Sequence, residues 1–335
     1  MIVPLARIAT ALLLAAAAAP ALAHHGTAAV SSIGAEGPGA ALDTTSPLPL
    51  GQGTILALVK SEYAAFQQRG GFTDQKRYSS FNTLAVGYGI RPWLSAFVFQ
   101  PYNWKSQGGF GTNSGLGDTN LMLSAGLKWD EGLELAPEKE SLDELADWHF
   151  SVWAACTLPV GPTTHKNGAG ELFASDMQTG FNGPSPSVGL VAMKQLAADY
   201  TLLVEGNYQH FFAQRYAEAG HRHRFGGEAR LNGALVWRGW TSGSSRIDVV
   251  PELSLLSLQR DQTDEGTGVL AAVRASGGTI LYGQLGARAT FGSLSLGLGV
   301  RRAVARSLNE AADQQGSEGL ESLRAAVVLG YATRF

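Results

Sequence analysis

The residues best placed for chemistry are two adjacent histidines, His24 and His25, near the start of the chain. If the chain is cleaved directly before His24, a free α-amine and two imidazoles lie together, a donor set that suits Cu(II), Ni(II) or Zn(II). His165, His221 and His223 fall in predicted loops, with no Cys or carboxylate to complete a tetrahedral set at a familiar spacing. The sequence predicts a metal site at His24 and His25, with free, solvated histidines as the alternative.

Other kinds of active site have less support in the sequence. A serine hydrolase needs a nucleophile, a histidine and an orienting carboxylate or amide within hydrogen-bond reach. His149 and His210 have no evident nucleophile partner. The glycine-rich stretch 108–118 contains no phosphate-loop lysine, and no helix is expected to follow it. We therefore predict a protein that is not an enzyme and that uses no cofactor.

Residues 1–23 have the pattern of a secretory signal peptide. Arg7 precedes the Leu and Ala run Leu12–Ala19, and Ala21, Leu22 and Ala23 follow it at the position of a cleavage site. The apolar run is too short to span a bilayer as a helix of the mature protein. We expect Sec export and cleavage after Ala23, which leaves residues 24–52 as an N-terminal segment that is periplasmic or folds into a barrel lumen.

Composition limits the possible partners and compartments. The chain is 45% hydrophobic, only 16% charged, and has a single cysteine, Cys156, so an exported form cannot rely on disulfides. Removing Arg7 from the 25 cations leaves 24 against 28 anions, a net charge of about −4. Such a chain has no basic field for nucleic acid. The low charged fraction indicates a surface that is not simply water-facing.

Period-two alternation of apolar and polar residues recurs along the rest of the chain. In residues 119–129, Leu121, Leu123 and Trp129 share one parity while the other parity is polar or small. The same split in residues 225–238 puts Phe225 on the apolar face. Strands are predicted at 53–66, 78–90, 93–104, 118–129, 148–159, 186–197, 199–213, 225–238, 246–258, 278–291, 293–304 and 322–335. The fold class is therefore all-β: a transmembrane, antiparallel, up-and-down barrel of about twelve strands over residues 53–335.

The predicted links between strands alternate between tight turns and long loops, as in outer-membrane barrels. One long acidic insert, residues 130–147, falls on the side of the tight turns, where the periplasm is expected. Ser141 followed by helix-favouring residues predicts a short helix within it. Its expected role is a solvated cap over the inner mouth, or else a docking site for a periplasmic partner.

The chain ends on "LGYATRF", inside an alternating pattern. In a spanning barrel the last strand must pair with the first, because every backbone donor and acceptor needs a partner. We expect Phe335 in the aromatic girdle at the periplasmic side. A terminal Phe after alternating apolar residues resembles the signature by which outer-membrane proteins reach the barrel-assembly machinery. The residues expected to face lipid on this strand are Leu323, Ala325, Val327, Leu329 and Tyr331.

The opposite parity on each strand predicts the residues that face the lumen. They are Lys60, Glu62, Lys128, Glu205, Asn207, Gln209, Glu228, Arg230, Asn232, Glu252, Gln284, Arg288, Arg301 and Arg324. Acidic positions fall on the first, seventh, eighth and ninth strands, and the last three strands carry arginines. These side chains either line an aqueous pore with a transverse field or pair into a network that seals the interior.

Three short motifs resemble a known family of outer-membrane barrels. "GLGD" at Gly115–Asp118, "TLPVG" at Thr157–Gly161 and "SPSVGL" at Ser185–Leu190 resemble the phenol-degradation meta-pathway family, whose members are described as transporters. The resemblance implies a barrel in the bacterial outer membrane that moves small, aromatic or hydrophobic solutes. Its partners would be outer-membrane lipid, the barrel-assembly machinery and the solute, and both a monomer and an oligomer fit.

Two other functions stay open at this stage. One is a metal-associated outer-membrane protein that binds Cu, Ni or Zn through its N-terminal histidines. The other is a barrel with an enzymatic or purely structural role.

Overall fold

The chain folds into a closed antiparallel β-barrel. The computed structural model describes residues 41–68, 75–137, 147–216, 222–264, 266–310, 313–314 and 318–334. Among these residues, no helix is long and apolar enough to cross a membrane.

Twelve long strands form the barrel wall. They are β1 (Thr54–Phe66), β2 (Lys76–Arg91), β3 (Leu94–Gln107), β4 (Thr119–Trp129), β5 (Trp148–Leu158), β6 (Ser185–Ala197), β7 (Tyr200–Gln209), β8 (Glu228–Ser242), β9 (Ser245–Leu258), β10 (Gly278–Phe291), β11 (Leu294–Leu308) and β12 (Glu321–Arg334). Each strand pairs with the next along the chain, which is the up-and-down order predicted from the sequence.

The ring closes between the first and last strands. Thr54 pairs with Arg334, and the register continues without a break as far as Ala65 opposite Leu323. This closure satisfies the backbone groups that an open edge would leave unpaired. The prediction that the chain's last strand closes the barrel is confirmed. The predicted position of Phe335 lies outside the described residues.

The side chains alternate between the two faces of the wall, with apolar residues outside. Leu329 and Tyr331 on β12 are exposed, while Arg324 on the same strand is buried. The outer surface is rich in exposed Leu, Val, Tyr and Trp, which is the surface that a lipid-facing barrel needs. The alternation of apolar and polar residues therefore predicts correctly which side chains of each strand face outward.

The two ends of the barrel differ in the length of their links. At one end, two-residue turns at 92–93, 198–199, 243–244 and 292–293 join the strands. The other end has loops of nine residues or more, and the longest is 159–184. The acidic insert lies at the end with short turns, where Leu133–Leu135 extends the sheet by pairing with β4. The helix predicted from Ser141 lies outside the described residues.

Most strand boundaries lie within two or three residues of the predicted ones, and two differences are informative. β7 ends at Gln209, four residues before the predicted end, and β8 begins at Glu228. Phe225 therefore lies before the strand and does not face outward, contrary to the prediction. Its ring packs with Phe211 and Tyr216 in a buried cluster beneath the long loops. Three aromatic rings in one loop region gain more by packing together than by continuing the sheet.

The interior of the barrel is apolar near the end with short turns. Phe97, Phe99, Met122 and Trp153 form a buried cluster with other inward-facing side chains. A second cluster contains Met193, Leu203 and neighbours on β8 and β9. The lumen is therefore polar in one region and apolar in another, and the sequence analysis predicted only the polar region.

Candidate functional site

The fourteen side chains predicted to face the lumen all lie on the inner side of the wall. Twelve are buried, and Asn207 and Gln284 are half-buried. That they line a permeation path stays a prediction. What they contact in this structure is mostly one another and a stretch of chain that precedes β1.

That stretch, residues 41–50 with the sequence ALDTTSPLPL, lies inside the barrel, and we call it the lumen segment. Eight of its ten residues are buried, and Leu48 and Pro49 are half-buried. A ten-residue peptide has many backbone donors, and burying them without partners would be costly. The wall supplies those partners through side chains.

Two carboxylates on the wall accept the backbone amides of the lumen segment. Glu252 accepts from Leu42 N at 2.7 Å and from Thr44 N at 3.0 Å, and it also lies 3.2 Å from Asp43 N. Glu205 accepts from Thr45 N at 2.9 Å. A buried amide left without an acceptor would cost about 1–3 kcal/mol, so each of these hydrogen bonds stabilises the inserted segment. The two glutamates therefore fix the path of four consecutive residues.

The carboxylate of Asp43 pairs with cations on β1 and β11 of the wall. Its oxygens lie 2.8 Å from Lys60 Nζ and 3.2 Å from Arg301 Nη1. Lys60 is also 3.6 Å from Glu62, and Arg324 is paired with Glu321 on its own strand. Asp43 therefore contributes a negative charge between two buried cations of the wall, Lys60 and Arg301.

Apolar contacts complete the hold on the lumen segment. A Cβ at Gly286 would overlap Leu42 Cδ1, and a Cβ at Gly297 or Gly299 would lie 2.7 Å from a Leu42 methyl group. These three glycines of β10 and β11 form a socket that fits Leu42, and we call it the glycine socket. At the other end of the segment, Leu50 joins the apolar cluster of the lumen.

Two of the predicted inward-facing arginines have partners other than a carboxylate across the lumen. Arg230 pairs with Glu228 of the same strand at 3.2 Å. Arg288 Nη2 donates to the carbonyl of Ala41 at 2.9 Å. Side chains two residues apart on one strand share a face, so local pairing satisfies a charge at lower cost than pairing across the lumen.

The long loop 159–184 folds back over the other end of the barrel. Lys76 lies 2.6 Å from Asp176, and Lys105 Nζ donates to the carbonyls of Asp176 and Gln178. Asp118 accepts Gly161 N and Phe181 N, both at 2.7 Å. Burial raises the pKa of Asp118 to about 6 and the two amide bonds oppose that rise, so the carboxylate is mostly ionised at pH 7.

We expect Asp118→Ala to release this loop, because two half-buried residues, Gly161 and Phe181, lose the acceptor of their backbone amides. Each such loss costs about 1 kcal/mol, the lower end of the usual range, so two of them should accelerate trypsin cleavage at the exposed Lys166 about thirtyfold. Mass spectrometry of timed digests measures this rate. Glu171→Ala is the control, because Glu171 is exposed and bonds with Asn167 at the loop tip. Equal cleavage rates in both variants would contradict a role for Asp118 in fastening the loop.

The predicted metal site, His24 and His25, lies outside the described residues, as does His221. Among the described residues, no group of three or more His, Cys, Asp or Glu side chains is arranged to hold a metal ion. His165 Nδ1 lies 2.5 Å from Asn113 Oδ1, and the ring of His223 packs on Phe225. These two histidines therefore take part in the packing of the loops.

Neither the contacts of the lumen segment nor the apolar part of the lumen was predicted from the sequence. One feature of the sequence does point to a segment in the lumen. Gly286, Gly297 and Gly299 have inward parity, and without side chains they leave space inside the barrel for another residue. The signal for the apolar lumen was a run such as Phe97 to Phe99, in which both parities are apolar.

The comparisons with known proteins agree with this fold. No family model matches the sequence, and no curated protein matches it significantly. Among solved structures, the COG4313 outer membrane channel from Pseudomonas putida F1 is similar, with a TM-score of 0.65 and 13% identity over 88% of this chain and 100% of that chain. The β-domain of the Bordetella autotransporter BrkA has a TM-score of 0.45 and 10% identity over 85% of this chain and 100% of that one. The NanC porin has a TM-score of 0.42 and 10% identity over 83% and 99%.

Proposed function

We propose that the protein is a passive channel of the bacterial outer membrane for small molecules, and that the lumen segment closes it. The observation that carries the proposal is a closed barrel, apolar outside, whose wall binds a separate, buried stretch of chain inside the lumen. A barrel that served only as an anchor could fill its interior with side chains from the wall. This wall instead has a glycine socket where the segment packs.

The outer surface and the strand topology of the barrel support a location in the bacterial outer membrane. An antiparallel barrel with an even number of strands, an apolar exterior, short turns at one end and long loops at the other is the arrangement of bacterial outer-membrane proteins. The similarity to the Pseudomonas putida channel supports this arrangement at the level of the fold. The acidic insert would then lie in the periplasm.

The chemistry of the lumen favours solutes with apolar parts. Phe97, Phe99, Trp153 and Met193 face inward near the end with short turns, beside the polar region that holds Asp43. A water-filled pore for ions alone would gain nothing from aromatic side chains in its path. We therefore infer that the solutes are small and amphiphilic, with aromatic or aliphatic groups.

Deleting residues 24–50 should open the channel. The deletion removes the lumen segment and leaves all twelve strands intact, so the barrel should still assemble. In planar bilayers, we expect the full mature chain to conduct rarely and the deletion variant to show steady ohmic current. The control is heat-modifiable mobility on gels, which reports barrel assembly. An assembled deletion variant without current would overturn the channel proposal.

A further inference from the structure

Asp43 occupies a basic site that has unused binding capacity. Arg301 is 4% exposed, and its guanidinium lies 4.4 Å from the centroid of the Tyr282 ring. Its Nη1 bonds to Asp43, whereas its Nε and Nη2 are buried with no hydrogen-bond partner in the described part of the chain. A guanidinium can bind a carboxylate through two parallel hydrogen bonds. The carboxylate of Asp43, whose position is fixed by its backbone, accepts from one Arg301 donor. The carboxylate of a free solute can rotate and accept from two.

The lumen segment presents three chemical groups to the wall at this point. The carboxylate of Asp43 pairs with Lys60 and Arg301, the amide of the same residue lies against Glu252, and the isobutyl group of Leu42 fills the glycine socket. Because Leu42 and Asp43 are consecutive residues, the three subsites lie within reach of one small molecule. The segment thus shows which ligand the wall can hold.

We propose that this site binds small apolar solutes that carry a carboxylate and a hydrogen-bond donor, such as β-amino acids acylated on nitrogen with an apolar chain. The solute's carboxylate takes the place of Asp43 between Lys60 and Arg301. Its donor takes the place of the Asp43 amide on Glu252, and its apolar group enters the glycine socket. The proposal rests on the proposed function, because the solute reaches the site when the lumen segment leaves it.

The charges explain why the ligand must be an anion. Without Asp43, Lys60 keeps Glu62 at 3.6 Å, but Arg301 loses its ion pair with the lumen segment. A buried cation without a partner is strongly unfavourable, and a neutral solute does not restore the charge balance. The lumen segment is a tethered competitor for the same site, and its tether gives it a high effective concentration. A solute therefore binds best when the segment is weakened.

The test compares two ligands that differ only in the carboxylate. N-(4-methylpentanoyl)-β-alanine repeats the order of groups in the segment, with the isobutyl group on the acyl side of the amide N–H and the carboxylate on the other side. Its β-alaninamide analogue lacks the charge. The protein is the full mature chain with Leu42→Ala and Asp43→Ala, which weakens the segment's hold. By calorimetry in detergent, we expect N-(4-methylpentanoyl)-β-alanine to bind about tenfold more tightly than the amide, the value of one charge-assisted hydrogen bond.

Two further variants test whether Arg301 is the residue that favours the charged ligand over the amide. Adding Arg301→Gln should remove the difference between the ligands. Adding Arg302→Gln should leave it unchanged, because Arg302 is the neighbouring arginine on the exposed, outer side of the same strand. If Arg301→Gln fails to assemble, the wild-type chain still decides the matter. Its intact segment should compete and weaken the binding of N-(4-methylpentanoyl)-β-alanine, and equal affinities in the wild type and the double variant would overturn the proposal.

Calorimetry and conductance separate the two proposals. Equal affinities of the double variant for both ligands, with ionic current present, would overturn the binding site and leave the channel in place. A tenfold preference without current in any assembled variant would overturn the channel and leave a binding site in the lumen.

Discussion

Replacing Asp43 with lysine should displace the lumen segment and open the barrel. The new ammonium would lie close to Lys60 and Arg301, which now share the Asp43 carboxylate at 2.8 and 3.2 Å. At an effective dielectric constant of 20, two like charges 4 Å apart repel by about 4 kcal/mol. That energy shifts the equilibrium between the inserted and released segment by a factor of about 1,000. Single-channel recordings should therefore change from rare openings to a predominantly open state.

The effect should come from the positive charge at position 43, and a substitution elsewhere near the lumen segment should not produce it. Gln52→Lys adds a cation at an exposed position just after the lumen segment, and we expect it to keep the channel closed. Asp43→Asn should give an intermediate open probability, because it removes the attraction without adding repulsion. If the Asp43→Lys variant assembles and stays closed, the pairing with Lys60 and Arg301 does not hold the segment in place.

Alternation along the strands was enough to predict the wall of this barrel. On β12, Leu329 and Tyr331 are exposed and Arg324 is buried, as expected when one face meets lipid and the other does not. A shift of one residue would reverse every side chain, so a clear pattern specifies the register strongly. The same pattern identified Glu252 and Arg301 as inward-facing, which are the residues that hold the lumen segment.

The partners of those side chains could not be predicted from parity. Alternation says which face a residue lies on, but the position of Asp43 between Lys60 and Arg301 depends on how a preceding segment threads the lumen. Residues 41–50 have no periodic pattern, and their structure comes from contacts with the wall. The apolar lumen was missed for a related reason, since Phe97 and Phe99 occur in a strand where both faces are apolar.

The glycine socket gives a steric test that is independent of charge. We expect Gly286→Val to expel Leu42, because a Cβ at Gly286 would overlap the Leu42 Cδ1 atom and the valine methyl groups would extend further. Overpacking of this kind costs about 1–3 kcal/mol, which corresponds to an increase of about 10- to 100-fold in the open-to-closed ratio. Planar-bilayer recording of the assembled variant measures that ratio directly.

Gly233→Val is the matched control for this substitution. Gly233 lies on β8 with outward parity, and a Cβ there would meet no atom within 4 Å. It therefore adds the same side chain to a spanning strand without contacting the lumen segment, and we expect a closed channel. An equal rise in open probability for Gly233→Val would show that strand distortion, and not the socket, is responsible.

A double variant decides whether Leu42 is the residue that Gly286 accommodates. Leu42→Ala alone should open the channel, since it empties a socket that the leucine fills. If the two side chains are in direct contact, the valine methyl groups in Leu42→Ala, Gly286→Val occupy space that the leucine has vacated. The double variant should then open no more than Leu42→Ala alone, because residues in contact are not additive. Fully additive effects would mean that the two residues act at separate places, and the position of Leu42 in the socket would have to be abandoned.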